Sequence, residues 1–96
     1  MNRLKKKIVD IETHAFFRMV ERGSKFGLDY YETKHRAFGT ARLGKLSKRK
    51  HLSKRDKTYY HYFKDNLSFY VICQEKEFED YIKCLIRTVI IERGRQ

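Results

Sequence analysis

Two runs of aromatic and β-branched residues, separated by a two-residue turn, constrain this 96-residue chain more than any other feature. Residues 58–64 have the sequence TYYHYFK and residues 67–74 have the sequence LSFYVICQ. Aromatic and β-branched side chains favour strands, and Asp65-Asn66 between the runs suits a tight hairpin turn. One face of the second run carries Leu67, Phe69, Val71 and Cys73. The sequence therefore predicts a β-hairpin.

Two helices are predicted before the hairpin. The first runs from His14 to Arg22, with Thr13 as its N-cap and Gly23 as its stop. Its apolar side carries Ala15, Phe16, Met19 and Val20. This spacing of i, i+1, i+4 and i+5 is typical of a helix that buries one side.

The second helix is predicted from about Leu28 to Phe38. Asp29 lies in its first turn, where a negative charge is favourable, and Gly39 lies just beyond its end. The residues expected on its inner face are Leu28, Tyr31, His35 and Phe38.

Three other segments have weaker patterns. Residues 8–12 indicate a short strand or an extended lead-in, and residues 40–46 indicate another strand. In residues 78–92, apolar side chains recur at helical spacing from Phe78 to Val89. The same segment is rich in β-branched residues, which favour a strand. The pattern alone leaves helix and strand open for this last segment.

The net charge of +11 is concentrated in one quarter of the chain. Residues 34–57 contain ten Lys and Arg and one Asp, a net charge of +9, and a basic loop is expected at about 40–57. Such a segment attracts polyanions, because each neutralised phosphate releases counterions. The residues predicted to bind nucleic acid are Arg22, Arg42, Lys45, Lys48, Arg49, Lys50, His51, Lys54, Arg55 and Tyr59.

Aromatic rings lie within or just after this basic segment. His51, Tyr59, Tyr60, His61 and Tyr62 supply rings that stack on unpaired bases. The expected partner is nucleic acid, RNA rather than DNA. The alternative interpretation is a solvated basic loop.

One predicted helix face carries a row of candidate catalytic residues. His14, Arg18 and Arg22 recur every four residues and so lie along one side. Guanidinium groups hold phosphate through forked hydrogen bonds, and an imidazole exchanges protons near neutral pH. The alternative is a polar helix face with Arg18 or Arg22 paired to Glu21 or another acid. His61 is either a hydrogen-bonded core residue or the second half of an acid–base pair.

Other functional classes are excluded by missing patterns. The sequence has no run of 18 apolar residues, and no apolar run follows the basic start, so neither a membrane span nor a signal peptide is expected. We expect one cytoplasmic domain over residues 1–96. Neither HxxxH nor CxxC occurs, so no metal and no cofactor is expected. Cys73 and Cys84 are expected to pack as small apolar residues, or to bridge if their strands are neighbours.

The helix motif and the order of elements resemble a known family. The run His-Ala-x-x-Arg-Met-x-x-Arg-Gly at residues 14–23, followed by a second helix and strands, resembles a family of small prokaryotic domains. That family is grouped with the barnase–EndoU–colicin–RelE-like ribonucleases, many of which are toxins of toxin–antitoxin pairs. The resemblance implies a RelE/barnase-like α+β fold, in which two N-terminal helices pack on an antiparallel sheet of three to four strands. It also favours a strand over residues 86–91.

The resemblance implies metal-independent RNA cleavage. In that reaction the ribose 2′-hydroxyl attacks the adjacent phosphorus and leaves a cyclic phosphate. His14 or His61 would transfer protons, and Arg18 and Arg22 would hold the phosphate. Two alternatives remain open, a non-catalytic nucleic-acid-binding module and a protein-interaction domain. In the second, the basic face would meet an acidic partner such as an antitoxin.

Overall fold

The computed structural model of the chain describes residues 5–47 and 57–94. The elements within these ranges are β1 (Lys6–Ile11), α1 (Thr13–Ser24), α2 (Tyr30–Leu43), β2 (Lys45–Leu46), β3 (Lys57–Lys64), β4 (Leu67–Glu77) and β5 (Tyr81–Arg93). The strands form one sheet in the order β1-β5-β4-β3-β2. α1 packs on β5, and α2 packs on β4 and on α1.

The α+β class with two packed helices is confirmed, but the predicted sheet is wrong in two respects. The described residues form five strands rather than three or four. The sheet is mixed rather than antiparallel, because β1 runs parallel to β5 while the other neighbours are antiparallel. The lead-in at residues 8–12 is therefore an edge strand, and two helices connect it to the rest of the sheet.

The central hairpin is confirmed with its predicted turn. β3 and β4 pair from Lys57 opposite Gln74 to Lys64 opposite Leu67. Asp65 and Asn66 have φ values of 53° and 63°, a left-handed conformation that these two residue types tolerate. Two successive positive φ values match the right-handed twist of the flanking strands.

The ambiguous last segment is a strand, and a β-bulge accounts for its helical spacing. β5 pairs with β4 on one side and with β1 on the other. Ile72 lies opposite Thr88 whereas Cys73 lies opposite Ile86, so Arg87 is the extra residue of a bulge. The bulge shifts the alternation, and Ile86 and Val89 both face the core although three positions separate them.

The first helix buries the predicted side. Ala15 and Met19 are buried, and Phe16 and Val20 pack against the core. The helix runs through Gly23 to Ser24, so Gly23 is not its stop. Glu12 precedes the helix as the N-cap residue and makes no side-chain capping bond, so Thr13 is the first helical residue rather than the predicted cap.

The second helix is longer than predicted, and only part of its expected inner face is covered. It continues through Gly39 to Leu43, and Asp29 caps it by accepting a hydrogen bond from the Glu32 amide at 2.8 Å. Of the expected inner face, Leu28 and Phe38 pack against the core, whereas Tyr31 is 77% exposed and His35 is also exposed, so the prediction is wrong for these two. The residues that are buried are Thr33, Ala37, Thr40 and Ala41. These small side chains let α2 approach α1 and the sheet closely.

The segment predicted as a basic loop begins with regular structure. Residues 40–43 are the last turn of α2, so the strand predicted over residues 40–46 is correct for Lys45 and Leu46 alone. Lys57 begins β3. Residues 48–56 lie outside the described residues.

A polar cluster closes one end of the core. The Lys7 ammonium donates to the Ala41 carbonyl and the Tyr60 hydroxyl, each at 2.9 Å, and lies 3.0 Å from the Glu75 carboxylate. Burial alone would lower the pKa of Lys7, but its bonds to Tyr60 and Glu75 raise it overall. Burial and the hydrogen bond to Glu75 raise the pKa of Tyr60 to about 12. These groups join β1, α2, β3 and β4.

The two cysteines are fully buried and free on neighbouring strands, Cys73 on β4 and Cys84 on β5. A hydrogen bond to Cys84 and burial raise the pKa of the Cys73 thiol. They pack within the core cluster as small apolar residues. Among the described residues, no helix combines the length and apolar character needed to cross a membrane.

Candidate nucleic-acid interface

The predicted row on α1 divides into two exposed residues and one partly buried residue. His14 and Arg18 are exposed one helical turn apart. Arg22 is partly buried, and its Nη1 donates to the Val89 carbonyl at 2.6 Å. That bond fixes α1 to β5 just after the β-bulge in the pairing of β5 with β4. The row therefore offers solvent one imidazole and one guanidinium.

His61 faces away from the helices. Its neighbour Tyr60 belongs to the core cluster that contains Met19 of α1, and successive strand residues point to opposite faces. The His61 Nε2 lies 2.9 Å from the Ser68 hydroxyl, which donates its proton to the Gly94 carbonyl at 2.6 Å. His61 Nε2 must therefore carry the hydrogen in the first bond.

The His61 ring also stacks on Tyr70 with centroids 4.5 Å apart. This is the hydrogen-bonded arrangement that the sequence left open. Because α1 packs on the other face of the sheet, the structure does not bring His61 and His14 together. The other alternative, an acid–base pair of His14 and His61, is not assembled.

Apart from Arg22, which bonds to Val89 as described above, the predicted nucleic-acid-binding residues fall into three groups. Arg42 and Lys45 are exposed at the junction of α2 and β2. Tyr59 is only 9% exposed, like Tyr60, so neither ring offers a stacking surface. The predictions that lie outside the described residues are Lys48, Arg49, Lys50, His51, Lys54 and Arg55.

A groove lies between the outer side of α2 and the end of β3, and we call it the α2–β3 groove. Its volume is about 540 Å³, within the range of ligand-binding pockets. Residues from α2 recur every three or four positions along it and so form one wall. The side chains used below are Tyr31, Lys34, His35, Phe38, Arg42, Tyr62 and Lys64.

Arg36 fixes one end of this groove. Its Nε donates to Glu32 at 2.6 Å, and its Nη2 donates to Asp65 of the hairpin turn at 2.8 Å. Nη1 lies 3.4 Å from the Lys64 carbonyl. A planar guanidinium that bonds in several directions holds its partners in a defined geometry. Arg36 therefore joins α2 to the β3–β4 turn, and its own charge is balanced by two acids.

The other charges of the α2–β3 groove are positive. None of the described residues that line it is acidic, and Lys34, Arg42 and Lys64 are cationic. The Lys34 ammonium lies 5.4 Å from the Phe38 ring centroid and 5.9 Å from that of Tyr30, within reach of a cation–π interaction. The groove thus combines cations with aromatic rings, the combination that binds single-stranded nucleic acid.

The sequence prediction missed Tyr31 and Lys64 as members of this site. Tyr31 was assigned to the inner face of its helix, and Lys64 is a single basic residue after the aromatic run. The signal that identifies the site is the row Tyr31, His35, Phe38 and Arg42 on one side of a helix that continues through Gly39. Because the predicted helix ended before Gly39, Arg42 was not placed in that row.

Within the described ranges, no three His, Cys, Asp or Glu side chains come together as metal ligands would. Comparison with known proteins finds that no family model, no curated protein and no solved structure matches this chain.

Proposed function

We propose that this chain is a cytoplasmic RNA-binding protein that holds RNA in the α2–β3 groove. The observation that carries the proposal is a concave surface with aromatic and cationic side chains and, among the described residues, no acidic lining residue. Cations neutralise the phosphates, and aromatic rings bind bases whatever their identity. Arg42, one of the groove cations, is exposed and belongs to the basic window of residues 34–57.

Removal of two groove cations is expected to weaken RNA binding and flatten its salt dependence. For Arg42→Ala with Lys64→Ala, the slope of log K against log salt should fall by about 0.7 for each phosphate that the protein no longer neutralises. Fluorescence anisotropy with a labelled 12-nucleotide RNA over a salt series measures both quantities.

The matched control removes two exposed lysines far from the groove, Lys6→Ala on β1 with Lys83→Ala on β5. It changes the net charge by the same amount and should keep nearly the full slope. Equal slopes for the two double variants would show that charge acts without a defined site. Absence of RNA binding at about 100 mM salt would end the proposal.

Metal-independent RNA cleavage by a RelE/barnase-like domain is a second candidate. What favours it is the exposed pair His14 and Arg18, one turn apart on the helix that carries the family-like motif. Arg18 would hold the phosphate while His14 exchanges protons with the 2′-hydroxyl and the leaving oxygen. The same resemblance adds an acidic protein partner, such as an antitoxin, that would compete for the basic surface.

Removing His14 is expected to slow such cleavage by about 100-fold or more, the usual contribution of a general acid or base. The assay uses labelled RNA in EDTA and detects the cyclic phosphate end. His61→Ala should leave the rate unchanged, since His61 lies on the other face of the sheet. RNA that is bound without being cut would reject the enzyme and leave the binding proposal in place. A rate that survives His14→Ala would reject His14 as the group that transfers the protons.

A further inference from the structure

Two tyrosine rings remain in solvent on opposite walls of the α2–β3 groove. Tyr31 on α2 is 77% exposed, and Tyr62 on β3 is 46% exposed. Large aromatic side chains left uncovered in a concave surface mark binding sites, because covering them removes apolar area from water. The two rings favour a flat apolar group as the occupant.

The charges of the groove require that this occupant also be anionic. Lys34, Arg42 and Lys64 are not neutralised by any acidic residue among the described groove lining, whereas Arg36 already has two carboxylate partners. A ligand that unites a flat ring with a nearby negative charge satisfies both requirements. A nucleotide is such a ligand, with its base and its phosphate a few bonds apart.

The shape of the site distinguishes unpaired from paired nucleotides. In a duplex the faces of the bases are covered by their neighbours in the stack, so aromatic side chains reach bases only where the strand is unpaired. A groove of about 540 Å³ has the size of a small-ligand pocket, and it does not enclose a double helix.

We infer that the α2–β3 groove holds an unpaired nucleotide of single-stranded RNA, with its base stacked on Tyr31 or Tyr62 and its phosphate at Arg42 and Lys64. The inference rests on the proposed function and adds the strand state that the site selects. It also assigns the two tyrosines a role in binding that is separate from the role of the cations.

The test compares an 8-nucleotide single-stranded RNA with the same sequence in a duplex, both at about 100 mM salt. Wild-type protein should bind the single strand at least tenfold more tightly. Tyr31→Ala with Tyr62→Ala should weaken binding of the single strand by about tenfold or more and leave binding of the duplex unchanged. Tyr31→Phe with Tyr62→Phe keeps the rings and should bind within twofold of wild type.

Phe17→Ala is the matched aromatic control, because Phe17 is 65% exposed on α1 and does not line the groove. It should bind as wild type does, and circular dichroism should show every variant folded. Equal affinity for single strand and duplex would overturn the inference. Normal binding of the single strand by Tyr31→Ala with Tyr62→Ala, together with weakened binding by Arg42→Ala with Lys64→Ala, would also overturn the inference. That outcome would leave the proposed function in place.

Failure to bind either RNA would remove both proposals together. An acidic peptide could instead displace the bound RNA and bind Tyr31→Ala with Tyr62→Ala as tightly as it binds wild type. That result would assign the groove to a protein partner and also overturn the inference.

Discussion

Gly23→Ala is expected to lower the free energy of unfolding by about 3 kcal/mol, the upper end of the usual cost of overpacking. The helices cross at this point, and a methyl group on Gly23 would come within 2.6 Å of Thr33 Cγ2 and closer still to the hydroxyl. Thr33 is fully buried, and its hydroxyl donates to the Asp29 carbonyl at 2.8 Å. The side chain therefore has no free direction in which to move.

Gly39→Ala is the matched control for this change. Gly39 also lies inside a helix, but a methyl group there would meet nothing within 4 Å. Alanine should then stabilise the protein by about 0.5–1 kcal/mol, because it costs less backbone entropy in a helix. Urea denaturation followed by far-ultraviolet circular dichroism measures both changes. A Gly23→Ala protein as stable as wild type would show that α1 and α2 are not in close contact here.

A second change tests whether the destabilisation comes from overlap with Thr33. Adding Thr33→Ala to Gly23→Ala removes the groups that the new methyl would overlap. The double variant should be more stable than the sum of the two single changes indicates, because contacting residues are not additive. Strict additivity would show that the cost arises from a neighbour other than Thr33.

These two glycines also show where sequence reasoning about the helices ends. Both were expected to end a helix, since glycine is common just beyond a helix terminus. Gly23 instead lies at a helix crossing, and Gly39 lies in mid-helix on the groove side. The difference depends on tertiary neighbours, which a single sequence does not contain.

The sheet was predictable where its signal was local. The central hairpin follows from two alternating runs and a turn whose residues tolerate positive φ. β5 was ambiguous because the bulge at Arg87 changes its alternation in mid-strand. The pairing of β1 with β5 joins residues about 75 positions apart in sequence, and no local pattern indicates such a partner.

The sequence predicted the positive charge of the candidate site but not which side chains form its surface. The basic window indicated a polyanion partner from composition alone. Which rings accompany the charge depends on strand phase: Tyr60 points into the core, Tyr62 reaches the groove and His61 faces the other side. A shift of one residue in phase reverses these roles, so the aromatic run by itself did not identify the stacking residues.

Lys7→Met is expected to cost about 2 kcal/mol of unfolding free energy, because it leaves partly buried polar groups without their donor. The side chains of Lys7 and Glu75 are 18% and 21% exposed, and the Ala41 carbonyl is also deprived of its bond from Lys7. The control is Lys5→Met. Lys5 is as covered as Lys7 and also donates to the Phe78 carbonyl at 2.7 Å, but its carboxylate partner Glu77 is 52% exposed. An ion pair with an exposed partner contributes less than about 1 kcal/mol, so Lys5→Met should cost less than Lys7→Met.

A double-mutant cycle then separates the missing hydrogen bonds of Lys7 from the effect of a carboxylate left unpaired. If the cost of Lys7→Met comes mainly from an unpaired Glu75, adding Glu75→Gln should recover about half of it, because the neutral amide is cheaper to leave partly buried. Glu75 also accepts a hydrogen bond from the Tyr60 hydroxyl at 2.6 Å, so Lys7 is not its only partner in the cluster. No recovery in the double variant would mean that Lys7 stabilises the fold through the end of α2 and the Tyr60 ring, which its ammonium approaches to 4.3 Å. A Lys7→Met protein no less stable than the Lys5→Met protein would show that the cluster is solvated and adds little to the attachment of α2 to the sheet.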